Sequence, residues 1–181
     1  MQTKSELRKF AKDFRKTLNI QEVSDKILQI FFDSDIYKNS SNIALYYPFG
    51  NELNIKPIFN NDTKKFFIPK INDNDEMFFV EYKLESELIE GKYGISEPAL
   101  SNEANMQNVD LMIVPALMVD KNGYRLGYGK GYYDKFFHNN KFNGIKVVFV
   151  PDNLFTDNLP FDNSDVPVDI IITEKGIFKV K

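Results

Sequence analysis

Four stretches of this chain are apolar almost without interruption: IALYY (Ile43 to Tyr47), DLMIVP (Asp110 to Pro115), IKVVFV (Ile145 to Val150) and VDIIIT (Val168 to Thr173). A strand with one wet face alternates apolar and polar residues. A run without that alternation must be covered on both faces, as happens in a parallel sheet flanked by helices. FFIP (Phe66 to Pro69) and MFFVEY (Met77 to Tyr82) are further strand candidates. Between the runs apolar residues recur at helical spacing. Leu7, Phe10, Ala11, Phe14 and Leu18 do so within residues 4–18, and Val23, Ile27, Ile30 and Phe31 along a helix from Ser24 to Tyr37. A short helix carries Leu53, Ile55, Ile58 and Phe59, and another runs from Tyr132 to Asn139. The alternation predicts an α/β layered fold with a largely parallel central sheet. Asn60–Lys65, Asn72–Glu76 and Asp162–Asp165 read as loops, and Tyr93–Leu100 as irregular. With 181 residues and no repeat or linker, one domain spanning residues 1–181 is expected.

Composition removes several chemistries. The chain has no cysteine, which excludes disulfides, thiolate nucleophiles and cysteine zinc sites, and its one histidine, His138, cannot build a multi-histidine metal centre. His138 by itself reads as a surface or helix-terminal residue. A net charge of −3 argues against a general nucleic-acid binder. The N-terminus MQTKSELRKF has no apolar leader core, and no run approaches a membrane span. A cytoplasmic protein without nucleic-acid or membrane partners is the expectation.

Any anion site must therefore be local, and GYRLGYGKGYYDKF (Gly123 to Phe136) is such a site. It is neither a dinucleotide fingerprint, since only Lys130 separates its last two glycines, nor a Walker loop, since Gly131 replaces the hydroxyl residue after the lysine. The physics of anion binding is still present. Gly127, Gly129 and Gly131 let successive N–H groups converge, and a helix starting near Gly131 adds its positive end. Arg125 can grip phosphate as a fork, with Lys130 as a point charge. Asp134 in the first helical turn either satisfies the helix end or holds Mg²⁺ beside polyphosphate. Tyr132 and Tyr133 point about 100° apart on a helix, so one packs and the other faces a ligand. Lys4, Arg8, Lys12 and Arg15 form a basic stripe on the first helix. That stripe is either a solvated face or, at Lys4 and Arg8, a contact to a polyanion, with Lys12 and Arg15 left in solvent.

Arg125 to Asp134 resembles the signature R-[LI]-G-x-G-[GK]-G-Y-Y-D of the 5-formyltetrahydrofolate cyclo-ligase (methenyltetrahydrofolate synthetase) family. Lys4 and Arg8, Tyr47-Pro48 followed by Glu52, Ile68-Pro69-Lys70, Ile95-Ser96-Glu97-Pro98, Val114-Pro115 and Asp169 with Ile171-Ile172-Thr173 also have counterparts, in order. Leu53-Asn54-Ile55 departs from the family pattern, which often carries threonine where Ile55 stands. The resemblance implies a three-layer α/β/α sandwich. It implies ATP- and Mg²⁺-dependent conversion of 5-formyltetrahydrofolate to 5,10-methenyltetrahydrofolate through an N5 iminophosphate, by a chain acting as a monomer. It further implies that Lys4, Arg8, Arg125, Leu126, Gly127, Tyr128, Gly129, Lys130, Gly131, Tyr132 and Tyr133 hold ATP. Tyr47, Glu52 and the segment Tyr128 to Tyr132 would meet the folate. Lys130, Arg125 and Tyr132 would serve the chemistry, and Asp134 and Asp169 the metal. Two other classes stay open: another phosphate-handling enzyme of similar layers, such as a sugar-phosphate isomerase or CoA transferase, and a non-catalytic nucleotide or RNA binder using its cations with tyrosines.

Overall fold

The computed structural model describes residues 2–99 and 102–180, so Leu100 lies outside the described residues, and the stretch expected to be irregular before it holds a strand, Ser96–Pro98. The chain begins with α1 (Lys4–Arg15), α2 (Ile20–Asp33), α3 (Asp35–Lys38) and β1 (Asn42–Leu45). It continues through β2 (Lys65–Ile71), β3 (Met77–Tyr82), β4 (Leu88–Glu90), β5 (Ser96–Pro98) and β6 (Leu111–Val114). Next come β7 (Met118–Asp120), β8 (Arg125–Leu126) and α4 (Tyr132–Asn139). The chain closes with β9 (Ile145–Phe149), β10 (Phe155–Thr156), β11 (Ile170–Thr173) and β12 (Gly176–Lys179).

A seven-stranded sheet runs in the order β12-β11-β9-β6-β1-β2-β3. The five inner strands are parallel, and β3 and β12 fold back antiparallel at its two edges. The continuous apolar runs are its centre. All four residues of β6 are buried, with Leu111 and Ile113 on one face and Met112 and Val114 on the other. Leu111 and Ile113 pack in the core that holds Ile27, Leu28 and Phe31 of α2. Met112 and Val114 pack with Leu7 and Ala11 of α1 and Phe136 of α4. Helices cover both faces, giving three layers as expected.

The helix bounds differ from expectation for local reasons. A capping box between Thr3 and Glu6 starts α1, which stops at Arg15 instead of residue 18, and Phe10 is half exposed and stacked on Phe14. α2 starts earlier, where the Asn19 side chain accepts from the Glu22 N–H. The short helix is a 3₁₀ turn, Lys56–Asn60, opened by Pro57. A small second sheet, β10-β7-β8, was not legible in the sequence. It carries the glycine loop, and buried Asp120 braces it by accepting from the N–H groups of Asn122, Tyr124 and Leu159.

Candidate functional site

Gly127 to Gly131 connects β8 to α4 and lies against α1. The Arg8 Nε–H donates to the Gly127 carbonyl at 3.0 Å. Gly129 takes φ +105°, and a Cβ there would stand 3.5 Å from the Arg8 guanidinium, so the arginine seats itself against bare backbone. Gly131 is left-handed at φ 70° and opens α4 with no side-chain cap, leaving the first N–H groups of that helix to a ligand or water. Lys130 is exposed on this loop.

Arg125 and Asp134, expected as phosphate fork and metal ligand, meet each other. Arg125 Nη2 donates to Asp134 Oδ1 at 3.1 Å, Arg125 Nη1 to the Val166 carbonyl at 2.7 Å, and the Val166 N–H to the same Asp134 oxygen at 3.0 Å. The three close a clamp between β8, α4 and the segment before β11. Lys4 reaches that segment too, with its ammonium 2.6 Å from both Asp162 and Asp165. Burial works to lower the Lys4 pKa, but the two carboxylates outweigh it and raise it. Burial likewise works to raise the Asp165 pKa and is outweighed by Lys4. His138 Nε2 stands 2.9 Å from the Ser164 carbonyl and anchors the same segment.

Glu52 arrives from the other side, after the carboxyl end of β1. Its Oε2 accepts from the Phe49 N–H at 2.9 Å, and the Tyr128 side chain of the glycine loop stands beside its carboxylate. Burial raises the Glu52 pKa, opposed by the Phe49 N–H, by Tyr128 and by the positive charge of Arg15. The same burial, with Glu52 nearby, pushes the Tyr128 and Tyr133 hydroxyls far above the ordinary phenol range. Tyr133 is the packing member of its pair, edge-on to Phe79, yet its buried hydroxyl has no hydrogen-bond partner. Tyr132 points outward and donates to Asp75 at 2.8 Å, at the rim of a cleft of about 370 Å³ lined also by Asn72, Glu76, Lys135 and Asn139. Tyr47 stands edge-on to Tyr82 and packs on Phe59 beneath the Lys56 ammonium.

Asp169 does not join this group. Its Oδ2 accepts from the Lys146 N–H at 2.7 Å and pairs with Lys146 Nζ at 3.1 Å, at the amino end of β11. Because β11 is parallel to β9, β6 and β1, that end lies at the sheet edge opposite Glu52. Asp110 plays the same part ahead of β6, accepting from the N–H groups of Ser41 and Asn42. Among the described residues no three histidine, cysteine or acidic side chains converge to hold a metal. The donor set therefore suits only a cation that brings its own phosphate and water ligands, with Asp134 as a single carboxylate beside it.

Arg15 is the residue that sequence reasoning misplaced. Expected in solvent, it is 2% exposed. Leu7, Ala11 and Arg15 form an i, i+4 row, and that row is the buried face of α1. Lys12 is exposed as expected, though its ammonium lies over the Tyr128 ring at 5.7 Å.

The family model of the 5-formyltetrahydrofolate cyclo-ligase family matches residues 1–174. The 5-formyltetrahydrofolate cyclo-ligase of Haemophilus influenzae is 27% identical over 186 residues, which cover 94% of this chain and 96% of that relative. The 5,10-methenyltetrahydrofolate synthetase of Aquifex aeolicus superposes with a TM-score of 0.87 at 33% identity, covering 98% of this chain and 93% of that one. The 5,10-methenyltetrahydrofolate synthetase of Mycoplasma pneumoniae has the same fold, with a TM-score of 0.75 at 24% identity.

Proposed function

The chain belongs to the 5-formyltetrahydrofolate cyclo-ligase family, and from that premise we propose that it converts 5-formyltetrahydrofolate to 5,10-methenyltetrahydrofolate at the expense of ATP. One observation carries the placement of the reaction: Tyr128, inside the anion-binding loop, stands beside the Glu52 carboxylate. The loop for phosphates and the carboxylate for the folate thus share a residue, so two substrates held there would touch.

The chemistry asks little covalent work of the protein. Hydroxide is a poor leaving group from an N-formyl carbon. Transfer of the γ-phosphoryl group to the formyl oxygen releases ADP and leaves an N5 iminophosphate. Attack by N10 on that carbon closes the ring, expels phosphate and gives up the N10 proton. Positioning and charge stabilisation supply the rate, which suits a site with neither cysteine nor a histidine base.

In this proposal Lys4, Arg8 and the loop from Leu126 to Tyr133 hold the nucleotide, and Lys130 neutralises the group in flight. Arg125 acts by fixing Asp134 and Val166 around the loop. Glu52 accepts from the folate, Tyr47 lines its pocket and Tyr132 borders the reacting end. Mg²⁺, when bound, would be held chiefly by the phosphates with Asp134 beside it, and supplies charge neutralisation there. Asp169 is left to its pairing with Lys146 at the amino end of β11.

The deciding assay is appearance of the methenyl chromophore from 5-formyltetrahydrofolate. Its growth only with ATP, with one ADP per product, supports the proposal. ATP turnover indifferent to the folate, or product formed without ATP, would overturn it.

A further inference from the structure

We propose that Asp75 is a positioning residue for this reaction: its carboxylate ties Tyr132, at the end of the glycine loop, to the tip of the β4–β5 hairpin, and so sets in advance the side of the site that a folate must meet. The inference rests on the function proposed above, in which Tyr132 borders the reacting end.

Asp75 stands in the turn between β2 and β3 and takes φ 64°, the one non-glycine residue at positive φ among the described residues. The turn does not need its side chain. The Asp75 N–H donates to the Asn72 carbonyl at 3.1 Å, and the Asn72 N–H to the Glu76 carbonyl at 3.0 Å. Asn72 Oδ1 accepts in return from the Glu76 N–H at 2.9 Å. A left-handed residue in such a hairpin turn is by preference glycine, which takes that conformation without steric cost. Aspartate there has a less favourable backbone and gains a carboxylate.

That carboxylate acts outside the turn. Its Oδ1 accepts from the Tyr132 hydroxyl at 2.8 Å and pairs with the Lys92 ammonium at 3.2 Å. Lys92 also donates to the Asn72 carbonyl at 3.3 Å. One oxygen therefore joins the first residue of α4 to the 3₁₀ turn Lys92–Gly94 at the tip of the hairpin. The other end of that tip meets Phe49. A Cβ on Gly94 would stand 3.9 Å from the Phe49 ring, and the Phe49 N–H holds Glu52. The tip thus reaches from the anchor of Tyr132 to the anchor of Glu52. The Asp75 and Lys92 side chains are 54% and 40% exposed, and a pair so open to water adds little stability. Fixing a ring and a loop tip before a ligand arrives instead lowers the ordering cost of binding.

The test is 5-formyltetrahydrofolate affinity by calorimetry without nucleotide, on the full chain, beside thermal melts and steady-state kinetics. Asp75→Gly keeps the turn conformation and removes the carboxylate. It should melt at or above the wild-type temperature while binding folate about tenfold more weakly, with the ATP KM within about twofold of wild type. Asp75→Asn tolerates the left-handed backbone and still accepts from Tyr132, so it should recover most of that loss. Asp75→Gly and Tyr132→Phe remove the same hydrogen bond, so the double variant should lose less than the product of the single losses. Amide hydrogen exchange at residues 91–95 should quicken in Asp75→Gly and in Lys92→Met. Wild-type folate affinity in Asp75→Gly, or weaker binding accompanied by a lower melting temperature, would make Asp75 a turn residue only and overturn the inference. Losses that multiply in the double variant, or unchanged exchange at the hairpin tip, would overturn it too. A wild-type chain that binds no 5-formyltetrahydrofolate brings down the functional reading and the positioning role with it. A wild type that binds it, beside an Asp75→Gly that binds it equally well, brings down this inference alone.

Discussion

Lys130 is exposed on the glycine loop, one residue before the left-handed Gly131 that opens α4. A charge so placed gains most when negative charge builds on a moving phosphoryl group. Lys130→Ala should therefore lower kcat by about 10²–10³-fold and change the ATP KM much less. Steady-state kinetics at saturating folate checks this, and a raised KM at full kcat would make Lys130 a ground-state contact. The two aspartates named for a metal part company at this scale. Asp134→Asn leaves the Arg125 guanidinium, whose side chain is 4% exposed, facing a neutral amide, and should cost about 1–3 kcal/mol as well as turnover. Asp169→Asn weakens only the tie between β11 and β9. Turnover against Mg²⁺ concentration should shift for Asp134→Asn and stay at the wild-type curve for Asp169→Asn. An Asp169→Asn shift would show that the far sheet edge does reach the cation.

At the scale of elements, the loop works because three supports hold a backbone that has few side chains of its own. β8 fixes its start, α4 its end, and Arg8 its middle. Gly129 at φ +105° is where the middle would fail first, since a side chain is strained in that backbone conformation. Gly129→Ala should cost about 1–2 kcal/mol and raise the ATP KM, leaving folate affinity without nucleotide near wild type. Differential scanning calorimetry and binding titrations read both. Normal thermal stability with a normal KM would mean that the loop relaxes freely. The strands that deliver this loop were invisible in the sequence for a physical reason. β7, β8 and β10 span two or three residues each, too short for either periodicity to show.

For the whole molecule, Glu52 couples folding to pH. Its pKa is raised in the folded state by burial. Such a group contributes stability that is fully present below its unfolded pKa and is lost as pH rises through the folded value. Above that folded value the wild-type protein carries a half-buried, ionised carboxylate, and Glu52→Gln does not. Glu52→Gln should melt a few degrees higher near pH 7, and the gap should close as pH falls into the glutamate range. Folate affinity should drop about tenfold or more in the same variant. Thermal melts across pH test the sign, and a constant gap would remove Glu52 as its source. Stability given up at the site is the price of a charged contact there.

Sequence alone determined the layered architecture, because unbroken apolar runs such as Leu111–Val114 can be hidden only between two layers of helices. It also determined the local chemistry of the glycine loop, since φ freedom, cations and a helix start are properties of neighbouring residues. Tertiary structure alone decided the partnerships. Arg125 meets Asp134 and Val166, Lys4 meets Asp162 and Asp165 across 158 and 161 residues of chain, and Tyr128 meets Glu52. It also decided that Arg15 is buried and that Asp169 pairs with Lys146 at the amino end of β11. Charge and periodicity describe what a residue offers along the chain. Which offer is taken depends on which end of a parallel strand and which face of a helix the fold brings against it, and those are distances through space.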